Sequence, residues 1–97
     1  MAEQQPWRVG VSHQDNVETL VVLHPIAVDT RSPDRDGMLV LANGLLVAIL
    51  VRLDTPEHKR RGGWFMETGL GRFAGVRAPV FDTLEEATRW MRQRLKT

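Results

Sequence analysis

Met38-Leu39-Val40-Leu41-Ala42-Asn43-Gly44-Leu45-Leu46-Val47-Ala48-Ile49-Leu50-Val51-Arg52-Leu53 is the stretch whose reading decides how this chain folds. Asn43-Gly44 stands between two strongly apolar runs. Asn and Gly tolerate the positive φ that both central positions of a type I′ turn require, and that turn's twist matches the strands it joins. The spacing therefore predicts a hairpin with strands over 38–42 and 45–53. A two-residue loop pairs Ala42 with Leu45, Val40 with Val47 and Met38 with Ile49 on one face. It pairs Leu41 with Leu46 and Leu39 with Ala48 on the other. Both faces are apolar along most of this length, the pattern of a central strand pair covered on two sides.

Working outward toward the N-terminus, Arg31-Ser32-Pro33-Asp34-Arg35-Asp36-Gly37 reads as a surface loop. Val17 to Leu23 is dense in β-branched residues and reads as a strand that Pro25 ends or confines to a sheet edge. Trp7-Arg8-Val9-Gly10-Val11 alternates as a first strand, His13-Gln14-Asp15-Asn16 is a polar turn, and residues 1–6 form a polar leader. Toward the C-terminus, Asp54 to Gly62 is a charged loop, and Gly63 to Thr68 is a short aromatic-rich strand. A glycine-punctuated loop then runs from Gly69 to Gly75. The last element is an amphipathic helix over Leu84 to Leu95. Leu84, Ala87, Thr88, Met91 and Leu95 recur on one face with Trp90 at its edge. Thr83-Leu84-Glu85-Glu86 fits a capping box, and Glu85 and Glu86 complement the positive end of the helix dipole as Arg92, Arg94 and Lys96 complement the negative end.

The 97 residues suffice for one domain spanning 1–97, and 42% hydrophobic with 26% charged residues is an ordinary globular balance. Cysteine is absent, which excludes a disulfide framework, a thiolate metal site and a cysteine nucleophile. The N-terminal residues lack the basic and apolar regions of a signal peptide, and no apolar run approaches the roughly 20 residues of a membrane span. The expectation is a soluble, cytoplasmic protein. Charge is unevenly placed: residues 1–58 carry four Arg and Lys against eight Asp and Glu, and residues 59–97 carry nine against four. Such asymmetry marks either an anion-binding face or a bipolar solvated surface.

Candidate chemistry is sparse. Gly69, Gly71 and Gly75 lack the strand-turn-helix context and the Lys-Ser/Thr pair of a phosphate loop, so they read as turn glycines. His13, His24 and His58 have no metal-ligand spacing, and no cofactor or metal is implied. His58-Lys59-Arg60-Arg61 is a basic loop followed by Trp64, a combination that suits nucleic acid, with Lys59, Arg60 and Arg61 on phosphates and Trp64 stacked on a base. Glu67 lies among Trp64, Phe65 and Met66, company that can raise a carboxyl pKa for use as a base, although alternation also allows it to face water.

These readings combine into an α+β domain, an antiparallel sheet of about five strands with one C-terminal helix packed on one face. The helix is expected on the face of Met38, Val40, Val47, Ile49, Val51 and Leu53. That leaves Leu39, Leu41, Leu46 and Leu50 for the N-terminal strands and the long 24–37 loop, a protein partner or a second copy to cover, and a homodimer is the favoured expectation. The expected function is a non-enzymatic interaction or accessory domain. The alternatives are a nucleic-acid binder using the 58–61 loop and a small enzyme or ligand-binding domain centred on Glu67.

Overall fold

The computed structural model describes residues 19–96 of the chain. Four antiparallel strands, β1 (Val21–Ala27), β2 (Asp36–Ala42), β3 (Leu45–Arg52) and β4 (Trp64–Gly69), form one sheet in the order β1-β2-β3-β4. A helix, α1 (Leu84–Leu95), follows. The class is α+β with a C-terminal helix, as expected, built on four strands among the described residues. The strand expected over Trp7–Val11 and the leader over 1–6 lie outside them.

The β2–β3 turn forms as its residues dictate, with Asn43 at φ 51° and Gly44 at φ 87°. Asn43 also fastens the start of β1. Its Oδ1 accepts the Leu20 N–H at 2.9 Å, and its N–H donates to the Leu20 carbonyl at 2.8 Å. The β1 strand runs straight through Pro25 because it lies at the edge of the described sheet, where a missing N–H is tolerated.

The hairpin register corrects the simple pairing. Ala42 opposes Leu45 and Leu41 opposes Leu46, but a bulge at Val47 then moves Val40 onto Ala48, Leu39 onto Ile49 and Met38 onto Leu50. One extra residue on β3 reverses the facing of everything beyond it. Ala48 and Leu50, each 0% exposed, therefore join the helix-covered core, and Ile49 and Val51 move to the other face. A second irregularity between Ile49 and Leu50 places Met66 opposite Leu50 and Phe65 opposite Val51.

The core is one cluster of Val40, Ala48 and Leu50 from the sheet centre, Trp64 and Met66 from β4, Phe73 and Phe81 from the connection, and Ala87 and Met91 from α1. Gly69 ends β4 at the point of closest approach, since a Cβ there would lie 2.2 Å from the Phe73 carbonyl oxygen. This lets a 3₁₀ turn over Gly71–Phe73 drive Phe73 into the core. Phe81 then bridges the outer edge of β4 through a reciprocal pair of backbone hydrogen bonds with Trp64, at 2.7 and 2.9 Å.

Helix α1 starts where the capping pattern places it. Thr83 Oγ1 accepts the Glu86 N–H at 3.1 Å, and Glu86 Oε1 accepts the Asp82 N–H at 3.0 Å, one residue upstream of the usual partner. Trp90 stacks on Phe73 with ring centroids 5.9 Å apart, meets Phe81 edge-on at 5.5 Å, and carries the Arg94 guanidinium over its ring at 4.3 Å. No helix among the described residues is long and apolar enough to cross a membrane.

Candidate functional site

Two regions of the surface combine features that packing alone does not require. The first lies at the end of the sheet away from the Asn43-Gly44 turn, where the β1–β2 loop (28–35) meets the β3–β4 loop (53–63). The base of the first loop is closed by the Val28 N–H donating to the Arg35 carbonyl at 2.8 Å. Inside it, Ser32 Oγ accepts the Asp34 N–H at 3.0 Å, and the Thr30 hydroxyl donates to the Asp34 carbonyl at 2.6 Å. These bonds hold Asp34 in a fixed position, buried although it is a loop carboxylate.

The Asp34 carboxylate reaches across to the second loop. Oδ1 accepts the Asp54 N–H at 2.6 Å, the Thr55 N–H at 2.7 Å and the Thr55 hydroxyl at 2.8 Å, and Oδ2 lies 2.9 Å from His58 Nε2. Burial by itself would raise the carboxyl pKa, but the bonds from Asp54, His58 and Thr55 outweigh it and hold the pKa at about 2. Beside this hub Arg52 is held by Asp54, through Nε at 2.9 Å, and by Asp36, through Nη2 at 2.8 Å. The hydrogen bond and charge of Asp54 raise the Arg52 pKa further despite desolvation.

The 53–63 loop is tied at its other side as well. Leu53 and Gly63 extend the β3–β4 pairing by a backbone bond at 2.8 Å, and Arg60 Nη2 bonds Asp82 Oδ1 at 2.5 Å and the Val80 carbonyl at 3.2 Å. Within the expected basic cluster, His58 and Arg60 are thus anchors, while Lys59 and Arg61 are displayed to solvent. Trp64 is 9% exposed and belongs to the core, so its face is not open to a base. Phe65, of opposite strand parity, is 41% exposed. Glu67 is exposed at the β4 irregularity, and the Trp64 and Met66 beside it in sequence are buried in the core. No group of three or more His, Cys, Asp or Glu among the described residues is placed to hold a metal ion.

The second region is the sheet face opposite α1. The registers put Val22, His24 and Ile26 of β1, Leu39 and Leu41 of β2, Leu46, Ile49 and Val51 of β3, and Phe65 and Thr68 of β4 on this side. His24 and Thr68 in that set are polar, and the exposed Glu67, the extra residue at the β4 irregularity, stands beside Thr68. Ile26, Leu46 and Phe65 are 42%, 38% and 41% exposed, Leu39, Leu41 and Ile49 are partly exposed, and Val51 at 1% is buried, so the face is open in part. Of the four leucines expected on the uncovered face, Leu39, Leu41 and Leu46 are there. Leu50 is not, because the Val47 bulge turns it into the core.

Residue periodicity did not single out Asp34, since its partners lie 20 to 24 residues away and no local pattern announces them. Phe65 was within reach of the sequence: the alternation that turns Glu67 outward from Trp64 and Met66 turns Phe65 outward too. No protein-family model, curated protein or solved structure matches the chain.

Proposed function

We propose that the chain is a non-enzymatic interaction domain that self-associates through the open face of its sheet, two copies meeting face to face. The observation that carries this reading is the exposure of Ile26, Leu46 and Phe65 on a face whose remaining positions are mostly apolar, with His24, Glu67 and Thr68 as its polar members. Apolar surface left in water forgoes about 25 cal/mol for each Å². A two-fold pair of such faces is self-complementary without further design. Four strands of about seven residues give a footprint of about 450 Å² per copy, or about 900 Å² for the pair. That is below the roughly 1,200 Å² at the lower end of stable complexes, so the homodimer is a weak one.

Multi-angle light scattering over a concentration series tests the proposal. The mass is expected to rise from that of a monomer toward that of a dimer as concentration approaches the order of 100 µM, and Leu46→Glu or Phe65→Glu is expected to abolish the rise. A constant monomer mass throughout refutes it. A reading centred on Glu67 has less support, because that carboxylate is exposed and Trp64 and Met66 near it in sequence point into the core.

A further inference from the structure

We propose that the end of the sheet formed by the 28–35 and 53–63 loops binds the phosphate backbone of single-stranded nucleic acid, with Arg31, Arg35, Lys59 and Arg61 as its cationic contacts. The first support is a juxtaposition that only the fold creates. Asp34 bonds Asp54, Thr55 and His58, so the two loops are joined at one end of the sheet. Arg31 and Arg35 line a shallow open depression with Asp29, Ser32 and Pro33 on the first loop, and Lys59 and Arg61 stand on the second.

The second support is how the charges at this end are committed. Arg52 is held by Asp36 and Asp54, Arg60 by Asp82, and Asp34 is buried among donors. The exposed charges left in the two loops are Arg31, Arg35, Lys59 and Arg61 against Asp29 and Glu57. Counted with the paired and buried groups, the cations and anions at this end balance, six against six, so what the fold supplies is an outward display of Arg31, Arg35, Lys59 and Arg61, which are the cations a phosphate can reach.

The backbone behind these cations is fixed rather than loose. His58 and Arg60 are pinned on either side of Lys59, and Arg60 and Gly63 are joined by a backbone bond at 2.8 Å around Arg61. Cations held on an ordered loop lose less entropy when they meet a ligand. The ligand class follows from Phe65, which comes two residues after that loop and is the exposed aromatic ring among the described residues. An open ring beside a cationic rim suits unpaired bases, which stack, more than an acidic peptide, which does not. Phe65 also belongs to the self-association face, so the decisive variants are the loop cations.

The test is fluorescence anisotropy of a labelled oligothymidylate, with a duplex of equal length beside it, titrated over a salt series. Four neutralised phosphates give a slope of log K against log salt of about −2.8 for a single strand. Arg31→Ala with Arg35→Ala, or Lys59→Ala with Arg61→Ala, is expected to bring the slope to about −1.4. Arg89→Ala with Arg92→Ala, on the exposed side of α1, is expected to leave it unchanged, and circular dichroism checks that each variant is folded. Absence of binding at low salt overturns the proposal. So does a slope indifferent to both loop pairs, a slope that falls with the helix pair, or equal affinity for the duplex.

Discussion

Asp34 shows how one side chain can order two loops. Its Oδ1 takes three hydrogen bonds and its Oδ2 faces only His58. Truncation by Asp34→Ala strands the Asp54 and Thr55 N–H groups, and a cost of about 3 kcal/mol is expected in urea unfolding. Asp34→Asn keeps an oxygen at the Oδ1 position and turns its amide toward His58, whose ring accepts in its other tautomer, so about 1 kcal/mol is expected. Equal losses for the two variants would contradict the split between the oxygens. The same residue governs acid stability. Its folded pKa of about 2 lies below the ordinary carboxyl value, so the stability it contributes is complete above about pH 4 and drains away as pH falls toward 2. Unfolding measured from pH 5 to pH 2 is expected to show this decline in the native chain, and a shallower one in Asp34→Ala, by about the difference that Asp34 contributes. Identical pH profiles would show that Asp34 is not the group titrating.

The sequence announced elements wherever the deciding contacts are local. The Asn43-Gly44 turn depends on two backbone conformations, and the start of α1 depends on Thr83 and Glu86. Both were legible for that reason. Removal of the cap by Thr83→Ala is expected to cost about 1 kcal/mol, and Thr83→Ser to cost much less, by thermal or urea unfolding. A silent Thr83→Ala would mean that packing of Ala87 and Met91, not the cap, sets where α1 begins. The strand register was not legible past Leu46. In a half-exposed strand, polar residues mark which side is which, and a one-residue slip is visible. From Leu45 to Val51 every residue is apolar, so the pattern fits either register equally well. The bulge at Val47 was decided by packing instead: it brings small Ala48 and branched Leu50 beneath α1. The assignment of Leu50 to the open face failed for this reason, and Leu39, Leu41 and Leu46 kept theirs because they precede the slip or oppose its start.

At the scale of the whole molecule, the one helix among the described residues covers one side of a sheet whose hairpin is apolar on both. The helix-covered side closes into one cluster from Val40 to Met91. Among the described residues the other side presents Ile26, Leu46 and Phe65 partly to solvent. The loop end that displays Arg31, Arg35, Lys59 and Arg61 is a separate region knitted by Asp34 and Arg60, so the proposed anion binding and the proposed association are expected to respond independently to Arg31→Ala with Arg35→Ala and to Leu46→Glu. The two-sided apolar hairpin was evident from residues 38–53 alone, whereas the loop end was not, because its partners meet only after the sheet has formed. The most direct test of the account is the mass of the native chain by light scattering as concentration rises to the order of 100 µM. A rise toward a dimer is expected, one that Leu46→Glu eliminates with its circular dichroism unchanged. A native chain that stays monomeric over the whole range would contradict it.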